Sequence, residues 1–165
     1  MHDEAVTEEG SFSSSDFWRV PDRLRASLPS KLIHKSVAND TSDRSATFSI
    51  TRRHPVQVVN LPSLTLSMTI GRLYGSQASR RHRHNYETIL YICEGWGITF
   101  IEDQAIEWEK GDALYIPVWA WHHHKNRSAD CECIYIACEN APLLQNLGQI
   151  ALREEQPWGL EALSR

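Results

Sequence analysis

Two histidine clusters, His82-Arg83-His84 and His122-His123-His124, stand at either end of a segment that reads as short strands joined by turns. Alternate side chains of a strand point to the same face, so His82 and His84 can reach one metal ion together. Imidazole is the commonest ligand of divalent transition metals, and a histidine of the second cluster would complete the set. The clusters therefore predict one metal site, assembled from two hairpins of a small barrel.

The chain around these clusters consists of short apolar or alternating runs. Glycines and polar residues separate the runs, and Gly95, Gly97 and Gly111 stand where a tight turn needs backbone freedom. Runs of this length with turn residues between them predict an all-β fold. The predicted strands lie in 56–60, 64–74, 87–93, 97–101, 105–109, 112–116 and 133–138.

A chain of 165 residues is long enough for one domain with a real core and too short for two of ordinary size. Residues 1–15 are acidic and serine-rich, and we expect a disordered tail. Residues 16–54 are expected to form an N-terminal strap with a short helix, and 55–140 the barrel. The helical spacing of residues 141–165 predicts a C-terminal helical segment that caps one face of the barrel.

Charge and hydropathy exclude two classes of partner. The formal charge of −4 and the pI near 6.0 give no basic surface of the kind that binds nucleic acid. No apolar run approaches the roughly 18 to 20 residues that span a bilayer, and the polar start has no resemblance to a secretory signal. We therefore expect a cytoplasmic protein that binds neither nucleic acid nor membrane.

The spacing around the histidines forms two motifs. The first motif reads Gly75-x6-His82-x-His84-x10-Gly95, and the second reads Gly111-x5-Pro117-x4-His122-x3-Asn126. Together they resemble the two-part motif of the cupin family, small jelly-roll barrels (double-stranded β-helices) whose two motifs supply the metal ligands. The resemblance covers roughly residues 55 to 140. It implies a single-domain cupin in which His82, His84 and His122 hold the metal.

One departure from the cupin pattern affects the ligand set. Many cupins add a glutamate ligand at the place that Thr88 occupies here, and Glu87 stands one residue earlier. If His82 and His84 face inward, Thr88 faces inward as well and Glu87 faces the opposite side. A bulge between residues 84 and 87 would reverse that. We expect three histidines without a carboxylate.

The second motif narrows the resemblance. The segment PVWAWHHHKN, residues 117–126, is similar to the corresponding segment of gentisate 1,2-dioxygenases and related ring-cleaving cupins. This similarity implies an Fe(II) dioxygenase that uses O2 to cleave a carbon–carbon bond of a hydroxylated aromatic or related dioxygenated small molecule. Those enzymes are commonly about twice as long, with two cupin halves. Two alternatives stay open: a non-oxidative isomerase or decarboxylase with Mn, Ni or Zn, and a small-molecule-binding cupin without catalysis.

Further residues are candidates for contact with a substrate. His124 shares the strand parity of His122 and could act as an acid or base, although a solvent-facing histidine fits the pattern equally well. Arg80 shares the parity of His82 and could hold a substrate carboxylate. The expected pocket residues are Tyr86, Thr88, Trp119 and Trp121, although tryptophan in a barrel is more often a core residue. Strand edges and the strap would suit a homodimer.

Overall fold

The structure is a computed structural model that describes residues 28–157. The predicted tail, residues 1–15, the first part of the predicted strap, residues 16–27, and the last residues, 158–165, lie outside the described part. The chain divides into two compact units, Met1–Ser30 and Lys31–Arg165. Every helix and strand below belongs to the second unit.

The second unit contains two helices and ten strands in residues 31–157, besides a short 3-10 turn at Val37–Asn39. The helices are α1 (Asp43–Arg52) and α2 (Ala141–Asn146). The strands are β1 (Val56–Val58), β2 (Ser67–Leu73), β3 (His82–His84), β4 (Thr88–Glu94), β5 (Trp96–Ile101), β6 (Gln104–Glu109), β7 (Ala113–Ile116), β8 (His122–Asn126), β9 (Cys133–Glu139) and β10 (Arg153–Glu155).

The strands form two five-stranded sheets in which every pair is antiparallel. The strand order is β1-β2-β9-β4-β7 in the first sheet and β10-β3-β8-β5-β6 in the second. Burial alternates along most strands, and the inward apolar side chains form one core that includes Leu73, Leu90 and Ile116. Each of the predicted runs overlaps a strand, and the all-β jelly-roll prediction is confirmed.

Helix α1 lies in the polar last part of the predicted strap, residues 16–54. Ser42 caps its first turn, because the Ser42 hydroxyl accepts a hydrogen bond from the backbone N–H of Ser45. Asp40 accepts hydrogen bonds from the hydroxyls of both serines. The helix ends at Arg52, and Arg53 takes a left-handed conformation with φ of 60°. Since the helix is largely polar, it shows no apolar period that the sequence analysis could detect.

The C-terminal segment differs from the predicted helix. Helix α2 ends at Asn146, and Gly148 adopts a φ of +75°, which breaks helical geometry. The chain then forms β10, which pairs antiparallel with β3 so that Arg153 lies opposite His84 and Glu155 opposite His82. Without β10, the short strand β3 would have an open edge. The prediction of helix over 141–165 is therefore wrong for residues 153–155.

Candidate metal centre and cavity

The three predicted ligand histidines come together on the inner face of the second sheet. His82 and His84 lie on β3, and His122 lies on β8 directly opposite His82. All three side chains are buried. One ring nitrogen from each residue lies within 4.8 Å of those from the other two. Strand alternation and a single register pair thus bring the two motifs to one point.

Backbone carbonyls fix the orientation of all three rings. In each histidine, Nδ1 lies at hydrogen-bond distance from a carbonyl oxygen two residues away in the chain. The acceptors are the carbonyl of Arg80 for His82 at 2.7 Å, of Tyr86 for His84 at 2.7 Å, and of Ala120 for His122 at 2.8 Å. A carbonyl can only accept, so Nδ1 carries the proton and Nε2 keeps its lone pair. This is the tautomer that a metal-binding histidine requires.

Burial keeps the three imidazoles neutral. Desolvation lowers the pKa of His84 to about 4 and that of His122 to about 3, and it holds the pKa of His82 well below its ordinary value. The positive charge of Arg153 lowers all three pKa values further. At neutral pH the site therefore presents three uncharged nitrogen ligands, and the chemistry of this donor set fits a divalent transition metal.

The structure places Glu87 away from the histidines. Its exposed carboxylate accepts hydrogen bonds from the Tyr115 hydroxyl at 2.9 Å and from the Asn140 amide at 3.2 Å. Thr88 is buried and lines the cavity, as its parity predicts. The Thr88 Oγ1 has no hydrogen-bond partner among the described residues. A buried hydroxyl without a partner is costly, and a bound metal ligand or substrate would satisfy it.

His124 lines the same cavity but differs from the other three histidines. Its Nδ1 lies 2.9 Å from the Thr99 hydroxyl, which accepts a hydrogen bond from Trp108 Nε1–H at 2.8 Å. Because the indole can only donate, the arrangement favours a Thr99 hydroxyl that donates to His124 Nδ1. The proton of His124 then resides on Nε2. The cavity would thus hold three imidazole acceptors and one imidazole donor.

The side chain of Arg80 does not line the cavity. Arg80 precedes β3, so the strand alternation that includes His82 does not extend to it. Its guanidinium pairs with Glu155 and donates to the carbonyl of Gln156 at 3.3 Å. The guanidinium on this side of the cavity belongs instead to Arg153. Because residues 141–165 were predicted to be helical, Arg153 was not predicted to line the cavity.

The two predicted pocket tryptophans lie outside the cavity as well. Trp119 and Trp121 both contact the guanidinium of Arg83, whose Cζ is 4.5 Å from the centroid of each ring. Arg83 faces away from the histidines and also pairs with Glu154 of β10. These tryptophans therefore act in packing. Tyr86 is buried beside the site, and its ring stacks on His84 at 4.1 Å and 3°.

The remaining cavity walls contain polar residues that the sequence did not single out. His54 Nε2 lies 2.7 Å from the hydroxyl of Tyr135, and both residues line the cavity. The Tyr135 ring occupies the space beside Gly71, where a Cβ would lie 2.1 Å from the ring. Glu139 and Arg52 complete this side. The alternation of β9 is a signal for Tyr135, but nothing in the sequence places His54 or Arg52 there.

The barrel matches a known family. Residues 72–137 match the Cupin domain family, and with the jelly-roll sheets and the clustered histidines they make this barrel a cupin domain. The chain is 32% identical over 84 residues to a 5-aminosalicylate 1,2-dioxygenase of Comamonas, which covers 51% of this chain and 22% of the relative. It spans only 18 to 30% of the length of the curated relatives that it matches, which include two gentisate 1,2-dioxygenases.

Solved structures show the same fold. A salicylate 1,2-dioxygenase of Pseudaminobacter salicylatoxidans superposes with a TM-score of 0.58 at 20% identity, over 65% of this chain and 33% of that one. A cupin-2 domain of Rhodospirillum rubrum gives a TM-score of 0.54 at 19% identity, over 66% of this chain and 68% of that one. Within residues 28–157, no helix is long and apolar enough to cross a membrane.

Proposed function

We propose that His82, His84 and His122 hold one Fe(II) ion and that the protein is a dioxygenase that cleaves a carbon–carbon bond of a small dioxygenated molecule. The observation that carries this proposal is the convergence of three buried, neutral histidines, each with Nδ1 anchored and Nε2 left for a metal. The similarity to aminosalicylate and gentisate dioxygenases supports the same chemistry.

The proposed reaction needs no external reductant, because both atoms of O2 end in the cleaved product. Fe(II) held by three neutral ligands would supply the electron-transfer chemistry that O2 requires, and its full divalent charge would favour an anionic substrate with two adjacent oxygen donors. Hydroxylated aromatic acids and β-dicarbonyl compounds carry such donors. Mn, Ni or Zn in the same site would indicate non-oxidative chemistry instead.

The chain's own residues would orient the substrate and hold its proton. Thr88 Oγ1 is a free donor and acceptor in the cavity wall. His124, fixed through Thr99, would present Nε2–H as a hydrogen-bond donor to a substrate oxygen. The apolar core behind the site keeps these polar groups away from bulk water, which strengthens their electrostatic effect.

The test is the metal content of full-length protein purified anaerobically without chelators. We expect near-stoichiometric iron in the native protein and in Glu87→Gln, and loss of iron in His84→Ala and His122→Ala. His123→Ala is the matched control, because His123 lies next to a ligand but stacks on Phe100 at 4.7 Å on the other face of β8. Loss of iron from Glu87→Gln as complete as from His84→Ala would contradict the three-histidine site.

Oxygen uptake by the iron-loaded protein then tests the reaction. The panel contains hydroxylated aromatic acids and β-dicarbonyl compounds, and at least one should consume O2 and yield a cleaved product. No uptake across the panel would count against a dioxygenase. Turnover that persists under strict anaerobiosis would point to an isomerase or decarboxylase. The cytoplasmic location and the homodimer that the sequence suggests remain predictions.

A further inference from the structure

Two arginines stand between the histidine cavity and the protein surface. Arg52, the last residue of α1, and Arg153, the first residue of β10, both line the cavity. Both also line an open surface groove of about 410 Å³. The two guanidinium groups therefore lie where the groove and the cavity share a wall. We call Arg52 and Arg153 the arginine entrance.

The groove outside the entrance is basic. Arg53 and Arg80 line it together with the entrance arginines, and Glu155 is the one acidic residue among the described residues of its wall. Glu155 pairs with Arg80 and lies 3.5 Å from Arg153, so its charge is shared between two cations. Glu155 therefore does not balance both entrance arginines as well as Arg80, and the remaining positive charge attracts anions to the groove.

Arg153 is incompletely paired although its side chain is largely buried. The Glu155 carboxylate lies 3.5 Å from Arg153 Nη2, and the Tyr86 side chain lies near the guanidinium. The buried Nε–H of Arg153 has no hydrogen-bond partner among the described residues. A buried charged group with an unsatisfied donor is costly unless a ligand completes it. An entering anion would supply the missing acceptor.

Arg52 differs from Arg153 in its contacts. Its guanidinium lies over the Phe48 ring, with Cζ 4.9 Å from the centroid, and it forms no ion pair with any of residues 28–157. Glu139 lines the cavity behind the entrance, but its carboxylate is beyond ion-pair distance from both arginines. A carboxylate suits Arg52 and the incompletely paired Arg153, because planar guanidinium donors match its two oxygens.

The cavity behind the entrance is small. About 50 Å³ is open to the centre of a water molecule. A cavity that accepts benzene measures about 150 Å³. A hydroxybenzoate would therefore have to displace the walls, whereas a short-chain acid would not.

We infer that the arginine entrance binds the carboxylate of the substrate and that the site takes a short-chain organic acid, whose part beyond that carboxylate is smaller than an aromatic ring. The reaction of that acid rests on the function proposed above. The binding of the acid does not rest on that function, because the entrance recognises the carboxylate without the metal. The two proposals can therefore fail separately.

The experiment is calorimetric titration of full-length protein, metal-free and anaerobically iron-loaded, with three probes. Malonate is compact and charged, malonamide has the same shape without charge, and 2,5-dihydroxybenzoate is charged but aromatic. We expect malonate to bind, malonamide not to bind, and the aromatic acid to bind more weakly than malonate. In Arg153→Gln and Arg52→Gln the malonate affinity should fall roughly tenfold or more.

Arg72→Gln is the matched control, because Arg72 pairs with Glu132 at 3.1 Å and lines neither the cavity nor the groove. Circular dichroism shows whether Arg153→Gln folds. If it does not fold, Arg153→Lys and Arg52→Gln provide the test, since Arg52 is only half-buried. Unchanged malonate affinity in folded Arg52→Gln and Arg153→Lys would overturn the inference, and so would tighter binding of the aromatic acid. Arginine-dependent malonate binding in a protein that takes no iron would support the entrance and refute the proposed dioxygenase.

Discussion

At the scale of single residues, four histidines in one cavity have two different hydrogen-bonding states. In His82, His84 and His122 a backbone carbonyl takes the Nδ1 proton, whereas Nδ1 of His124 meets the Thr99 hydroxyl. Residue type alone gives no hint of this difference. Which ring nitrogen faces the cavity depends on the atom behind the ring, and that atom is known only once the strands have paired.

Thr99→Val should separate the role of His124 from metal binding. Valine keeps the shape of the fully buried Thr99 but leaves Trp108 Nε1–H and His124 Nδ1 unpaired. We expect the free energy of unfolding to fall by about 1 to 3 kcal/mol, as measured by urea denaturation. The iron content should not change, because His124 lies outside the proposed ligand set of His82, His84 and His122. Iron loss comparable to that of His84→Ala would show that His124 belongs to the ligand set.

His54 should make the metal-free protein less stable in acid. Burial, followed by nearby arginine charges, lowers the pKa of His54 from 6.5 to about 4, although its hydrogen bond to the Arg52 carbonyl opposes the shift. Between these pH values the unfolded chain binds a proton at His54 that the folded protein does not. Stability therefore falls as the pH falls through this window, by about 1.4 kcal/mol per pH unit for this residue.

The matched variant for His54 is His54→Gln, which can still hydrogen-bond to Tyr135. Urea denaturation of both chelator-treated proteins from pH 7 to pH 4.5 should show that the native protein loses stability more steeply. The difference between the two isolates His54 from the other buried histidines. Parallel stability curves would mean that His54 does not stay neutral in the folded state.

At the scale of elements, the strands with an alternating pattern could be predicted from the sequence. A strand that forms only by pairing with a distant part of the chain could not. The predicted runs located β1, β2, β4 to β7 and β9, and parity placed Thr88 inward and Glu87 outward. The same parity failed for Arg80, because the strand begins only at His82. Residues 153–155 are polar and carry no strand pattern, and they pair only because β3 offers them an edge.

Arg83 connects three elements on the outer face of the metal-binding strand. It extends from β3, lies between Trp119 and Trp121 of the β7–β8 connection, and pairs with Glu154 of β10 at 2.7 Å. Arg83→Met keeps the aliphatic stem and removes both charge contacts. We expect a loss of about 1 to 2 kcal/mol, lowering the melting temperature by several degrees without loss of iron.

Arg127→Met is the control for Arg83→Met. Arg127 also pairs with a glutamate, Glu107, and contacts one tryptophan, Trp96, with Cζ 5.7 Å from the ring centroid. It is more exposed and connects fewer elements, so its replacement should cost less. Equal melting temperatures for the two variants would show that the contacts of Arg83 with Trp119 and Trp121 add no stability.

At the scale of the whole molecule, the candidate metal site lies where β3 and β8 meet in the second sheet. Strand β3 pairs with β10 over three residues but with β8 through the single pair His82 and His122. An ion bound by β3 and β8 together would therefore add a connection between these two strands. The candidate site would then stabilise the barrel as well as hold the metal.

Metal loading should consequently stabilise the whole domain against heat. An ion that binds only the folded protein, present at a hundredfold excess over its Kd, adds about 2.7 kcal/mol to the free energy of unfolding. Calorimetry of the chelator-treated protein with and without anaerobic Fe(II) should show a melting temperature higher by several degrees, reversed by chelator. His84→Ala should show no such shift, whereas His123→Ala should show the full one. An equal shift in native protein and His84→Ala would place the stabilising ion outside the three-histidine site.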